Sequence, residues 1–546
     1  MSKTLFHNAT VFTAGSPSQA EAIVVDGDRL AWVGSLADAE RAAGPDATRV
    51  DLDGGFVVPG FIDAHAHLLM AGQSLRKTGL VDAGDLAGIQ RRLAAARAAE
   101  PDAARVLGRG WLFDQIPGRA PVRQMIDEVV SDVPVYLDAN DFHSIWLNSA
   151  ALVEIGITRA TPDPVGGRVG RDPRTGEPDG MLFETAVHEY VWPALARLET
   201  DATRDEHLQV AFNHLLRAGV TGAVDLATGE AELATLRRRV ERDGRLPMRV
   251  ACHWFVQRTE SVDGALRQVE RASELRREID SPWLRIAGIK IVADGVVDAC
   301  TAAVKKPYAD GSRPEPIWDR ASLFPVAAAA DAAGLQIAVH AIGDEASEIA
   351  LDAIEHAVEV NGPRPRRHRI EHLEVVSEES VARLARLGVV ASMQPVHADP
   401  AIQRNWRATL GDERVHRGYP WAEFEAAGAR LAFGTDTPTA PYEALPNLYV
   451  ATTRRSALEP GLGPNEPELA VSLTNAITHA THDAAYSCGL ERELGRIETG
   501  MLADFSVIDV DLLHADPGAL LSASVVRTVV GGTTVFQQAA SGARKS

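Results

Sequence analysis

Residues 57–69 read VVPGFIDAHAHLL. Within this apolar run His65 and His67 lie two apart, so on a strand both rings project from one face. Two imidazoles there can share a cation, although an HxH pair also arises by chance or as a hydrogen-bonding pair in a core. Other runs of the same kind, and what they carry at their ends, decide between these readings.

Seven further apolar runs follow: GVTGAVDLA, MRVACHWF, LRIAGIKIVADG, LQIAVHAIGD, HRIEHLEV, GVVASMQP and ARLAFGTD. Helical stretches rich in Ala, Leu, Arg and Glu separate them, the pattern of βα units around a parallel sheet. With the first run they make eight, the number that closes a (β/α)8 TIM barrel. About 150 residues separate the first run from the second, far more than a βα connection needs. We therefore expect an α/β insertion over residues 71–204, a possible active-site lid, and barrel segments at 59–70 and 205–486. Short alternating strands at 1–58 return in texture at 487–546, and both ends are expected to pair into one small β-sandwich.

Lys290 lies in IAGIKIVADG, where Ile289, Ile291 and Val292 imply burial. A buried ammonium needs compensation. An ion pair with a carboxylate such as Asp294 supplies it, and so does conversion to a carbamate with CO2; the residue alone favours the ion pair. His340, His372 and Asp436 each stand where an apolar run stops. In a parallel barrel that C-terminal rim is the active face, where groups from several strands converge. Each of the three is unremarkable as a core residue, but the set is not.

Taken together, PGFIDAHAH, KIVADG, HAIGD, EHLE, GTDTP and the late LGRIETGMLADFSVIDVD resemble the amidohydrolase superfamily, and within it the amidohydrolase 3 group of N-substituted formamide deformylase-like proteins. The likeness spans nearly the whole chain. It implies that His65, His67 and Asp436 bind one divalent metal, that His340 and His372 bind another, and that Lys290, carboxylated by CO2, bridges the two. Zinc suits such a nitrogen and oxygen shell, with manganese, iron, cobalt and nickel as alternatives. The implied reaction is hydrolysis of a non-peptide C–N bond in an amide, N-substituted formamide or cyclic amide by a metal-bridging hydroxide, with Asp436 as the proton shuttle. The same centre serves esters, lactones or deamination, and a metal-dependent lyase on this scaffold is the reading from another class. Lyases of that kind usually lack the bridging lysine.

Candidate substrate contacts are Trp111, His143, His253, Gln394 and His397, with Asp225 and Arg414 as further pocket residues; Asp114 and Asn148 belong to the insertion motifs GRGWLFDQ and DFHSIWLNSAAL, which resemble the group's and are expected in a lid over the metals, and Glu184 ends the insertion loop. Trp111 and Trp146 read equally well as core aromatics of the insertion. Thr435 and Asn475 depart from the group's more frequent serine and acidic residue, changes that touch orientation or packing.

Composition limits the partners. Lys plus Arg number 55 against 75 Asp plus Glu, a formal charge of −20, which repels nucleic acid and anionic membranes. Hydrophobic residues make up 45%, enough to fill the cores of two or three units. No GxGxxG or GxxxxGK follows a strand, so no nucleotide site is expected. Three cysteines, Cys252, Cys300 and Cys488, argue against a disulfide framework and for a reducing compartment. With no apolar leader or membrane-spanning run, we expect a cytoplasmic protein acting on a small molecule, and the resemblance to barrel hydrolases implies a homodimer.

Overall fold

Each of the eight runs forms a strand in the computed structural model, which describes residues 3–116, 120–140 and 142–539. The outermost ends of the two terminal segments lie outside these residues. The strands are β1 (Phe61–Ala66), β2 (Val220–Thr228), β3 (Arg249–Phe255), β4 (Leu284–Val292), β5 (Gln336–Ala341), β6 (Arg369–His372), β7 (Val390–Met393) and β8 (Arg430–Phe433). They are hydrogen-bonded in chain order, and every adjacent pair is parallel. Closure falls just beyond the end of β8. Asp436 N–H donates to the His65 carbonyl at 2.7 Å and His67 N–H to the Thr437 carbonyl at 3.0 Å.

Burial on both faces explains the near-continuous apolar runs. Ile289 and Ile291 of β4 and Ile337 and Val339 of β5 pack in one core with helix residues such as Val326, Ala330, Ile349 and Ile354. Their alternate neighbours, Lys290 and His340, therefore face into the barrel. Helices return the chain between strands, and polar residues start them: the Asp319 side chain accepts from Ser322 N–H, and that of Ser377 from Ser380 N–H. Such caps satisfy amide groups that have no partner within the helix.

Between β1 and β2 lies a separate six-stranded sheet, in the order Gly167–Arg171, Pro178–Glu184, Ser144–Leu147, Val135–Ala139, Val106–Trp111, Thr78–Gly79. It has its own apolar clusters, one around Trp111, Leu137 and Trp146, another around Ile145, Leu182 and Val187. Both chain ends meet in one further sheet, where Phe505–Ile508 pairs antiparallel with Thr48–Pro59. Among the described residues no helix is long and apolar enough to cross a membrane.

Candidate metal centre

The C-terminal rim gathers all six expected donors. His65, His67, Lys290, His340, His372 and Asp436 line one cavity. Asp436 Oδ1 lies 3.0 Å from His67 Nε2 and 3.3 Å from His65 Nε2, and donor atoms of these three residues fall within 4.8 Å of one another. The His372 ring centre is 4.9 Å from that of His65 and 4.3 Å from that of His340.

Neighbouring groups fix which ring nitrogen faces the cluster. His65 Nδ1 meets Glu371 Oε2 at 2.9 Å, and His67 Nδ1 meets the Leu226 carbonyl at 2.6 Å. Both acceptors call for a protonated Nδ1, which leaves the Nε2 lone pairs turned toward Asp436. Glu371 is held in turn by Arg369, whose Nε and Nη2 donate to its two oxygens at 2.6 and 3.0 Å. The Arg369–Glu371 pair is fully buried inside the barrel, where such a pair survives only with its hydrogen bonds complete. Arg369 Nη2 also donates to the Ala64 carbonyl and to Ser392 Oγ.

Asp63 braces the seam from the other side. It accepts from His65 N–H at 3.1 Å, Thr435 N–H at 2.9 Å and Thr435 Oγ1 at 2.5 Å, so Thr435 acts through orientation. Asn475 instead donates to Glu425 on the surface. His372 and Asp436 have φ of 75° and 58°, a left-handed conformation that costs a non-glycine residue about 1–3 kcal/mol and clusters at functional sites.

The donor set fits divalent cations. Burial pushes the His65 imidazole down to about 4 and those of His340 and His372 well below their ordinary value, so at neutral pH the rings are uncharged ligands. Burial alone would raise Asp436, but the charge that the His65, His67 and His372 rings take on in acid outweighs it and holds the carboxyl well below the usual range. Among the described residues, His372 Nδ1 and Asp436 Oδ1 are buried without a hydrogen-bond partner. Lys290 is 2% exposed and makes no hydrogen bond or ion pair among the described residues. Its burial pushes the ammonium down to about 8. Orphaned donors of this kind need a counter-ligand.

The ion pair between Lys290 and Asp294 is not formed. Asp294 accepts instead from the backbone N–H groups of Ala303, Ile342 and Gly343 at 2.8–3.0 Å. Two other expectations are corrected. His253 and Gln394 are fully buried and do not reach the cavity: His253 Nε2 meets Gln336 Oε1 at 2.8 Å, deeper in the barrel, and Gln394 lies behind His65. Arg414 is spent on the carbonyls of Leu410, Lys306 and Pro307, and Asn148 caps helix Ser149–Glu154.

Trp111, His143 and His397 line an adjoining cavity that shares His340, His372 and Asp436 with the first, together with Asp114. Trp111 is at the same time a core residue, 5.6 Å from Trp146. His143 immediately precedes the strand Ser144–Leu147 of the six-stranded sheet; its Nδ1 meets Glu184 Oε2 at 2.6 Å and its ring lies 5.0 Å from that of His340. Asp225 lines the cavity on the His67 side and accepts from Leu68 N–H. Sequence reasoning missed Glu371 and Glu374. The second group able to share an ion is His372, Glu374 and His397, in addition to the expected set. The repeated acid in HRIEHLE was the available signal.

Comparison with known proteins agrees with this geometry. Residues 48–536 match the amidohydrolase family. The chain is 30% identical to the putative amidohydrolase YtcJ of Bacillus subtilis, over 98% of this chain and 100% of the other. It is 29% identical to the N-substituted formamide deformylase of Arthrobacter pascens, over 98% of each. An uncharacterized metal-dependent hydrolase from Pyrococcus horikoshii superposes with a TM-score of 0.75 at 26% identity, covering 95% of this chain and 99% of that one.

Proposed function

Because the chain belongs to the amidohydrolase family, we propose that it is a metal-dependent hydrolase that cleaves a non-peptide carbon–nitrogen bond of an amide, N-substituted formamide or cyclic amide. The observation that carries this reading is the convergence of six donors from five strand ends on one buried cluster. The likeness to a formamide deformylase supports a C–N bond as the target.

His65, His67 and Asp436 would hold one cation and His340 with His372 the other, with Lys290 as a carbamate between them. When bound, such a pair supplies Lewis acidity, polarising a carbonyl and lowering the pKa of water toward neutrality. The remaining work falls to the chain. Asp436, ionised and fixed through its N–H to the His65 carbonyl, takes the proton of the attacking water and returns it to the leaving nitrogen. His143, braced by Glu184, and His397, whose Nε2 meets Thr439 Oγ1 at 3.0 Å, flank the position of the substrate carbonyl and orient it. The wall of Trp111, Phe113, Val297 and Ile342 receives an apolar substituent and excludes water.

The test is metal analysis of the purified protein, followed by turnover of N-formyl amines, N-acyl amines and cyclic imides, with esters and lactones alongside. Bound divalent metal and chelator-sensitive release of amine are expected. Activity that survives complete removal of metal refutes the reading.

A further inference from the structure

The opposite end of the barrel carries charge that this chemistry does not use. Beside the N-terminal ends of β4, β5 and β6 lies a cavity of about 330 Å³ walled by Arg276, Arg285, Arg364, Arg366 and Arg367, in a chain whose formal charge is −20. Part of this cluster is structural. Arg364 and Arg366 share Asp331 at 2.9 and 2.8 Å, and Arg367 pairs with Glu491.

Arg276 and Arg285 are less completely matched. Arg285 reaches Asp280 only at 3.4 Å, and its Nε is buried without a hydrogen-bond partner among the described residues. Arg276 has no ion pair among the described residues; it donates to the carbonyls of Gly334 and Ala287. Burial, and then the charge of Arg285, push the Arg276 guanidinium below its ordinary value. Five guanidinium groups against three carboxylates leave two positive charges in excess around one concavity. Guanidinium forks bind oxyanions through paired, charge-assisted hydrogen bonds, and an anion here would remove both the repulsion and the orphaned donor.

We infer that this cavity, set between Arg276 and Arg285 at the barrel end remote from the metal-ligand cluster, binds a small oxyanion of two or more negative charges, a phosphate ester or a polycarboxylate. The inference does not depend on the reaction proposed above. Gln336, which also lines the cavity, meets His253 in the barrel interior, so the site adjoins the barrel core as well as solvent.

Titration calorimetry of the full-length, metal-loaded protein with pyrophosphate and, separately, with citrate tests it. Saturable binding that weakens with added salt is expected. In Arg276→Gln/Arg285→Gln the affinity should fall by about tenfold or more as two charge-assisted contacts are lost. Arg237→Gln/Arg271→Gln, on a separate surface, should bind as the unaltered protein does. Pyrophosphate binding without citrate binding assigns a phosphate ligand, and the reverse assigns a polycarboxylate. If the double variant does not fold, Arg276→Lys, which keeps the charge and loses the fork, should show intermediate weakening. No saturable binding of either anion to the unaltered protein overturns the inference, as does equal affinity in the double variant. A variant that changes only its sedimentation mass, with neither anion bound by the parent, also overturns it and makes the face a contact between chains.

Discussion

At the residue scale, Asp436 and Lys290 are separable because they answer to different terms. Asp436→Asn keeps the shape and removes the basic oxygen, so turnover should drop by about 10²–10⁴-fold; metal content measured on the same sample separates lost proton transfer from lost ligation. A variant with undiminished turnover contradicts the shuttle. Lys290→Met acts in opposite directions on two states. In metal-free protein it removes a buried ammonium with no ion pair, so the melting temperature by calorimetry should hold or rise; in metal-loaded protein the stabilisation gained from metal should shrink, because a bridging group is gone. A large fall in the metal-free melting temperature would mean that Lys290 has a partner of its own. Glu371→Gln leaves the ligands in place but weakens the grip on His65 Nδ1, and metal affinity should fall by about 10–100-fold, read by competition with a chromophoric chelator.

At the element scale, the eight strands were legible because each is buried on both faces and reads as an unbroken apolar run; their order gave the relative positions of Lys290 and His340, whose neighbours Ile289, Ile291 and Val339 pack outward. His372 was legible as a strand end, and its place in the cluster followed from the family resemblance and not from alternation. Arg369 and Glu371 point inward, so alternation alone turns His372 away, and its left-handed φ brings it over the rim. Backbone conformation of that kind leaves no mark in a period-two pattern. His253 failed for the complementary reason: its inward direction was readable, but not its depth, which depends on the stagger of β3 against β4. The seam between β8 and β1 offers a test of how tightly these elements fix the site. A Cβ on Gly434 would lie 2.4 Å from His65 N and 2.8 Å from Asp63 Oδ1. Gly434→Ala should therefore cost about 1–3 kcal/mol by overpacking, seen as a lower urea midpoint, and should weaken metal binding by shifting His65. Unchanged values for both would show that the seam yields freely.

At the scale of the whole molecule, titratable groups buried in and around the barrel make the metal-free protein's stability depend on pH in two opposed ways. Burial pushes His65 and His188 down to about 4 and His253 to about 3, so between those values and 6.5 the unfolded chain holds protons that the native state lacks. Their contribution is complete above pH 6.5 and is lost as the pH falls toward 4, at about 1.4 kcal/mol per group per pH unit. Asp63 and Asp294 run the other way. Burial raises them to about 6 and about 8, so the native state retains protons that the unfolded chain has released, and stability declines as the pH rises from about 4 through those values. The two sets oppose each other below pH 6.5, whereas above it the loss through Asp294 continues and is joined by that of His397 and His479, which, despite burial, carboxylate neighbours raise above their ordinary value. Urea midpoints of metal-free protein should accordingly peak near pH 6–6.5 and fall on both sides. Because His253 lies outside the ligand cluster, His253→Asn isolates one group: the acid limb should flatten by one proton's worth while the decline above pH 6.5 stays. An acid limb of unchanged slope would mean that His253 keeps its ordinary affinity for a proton despite its complete burial against Gln336.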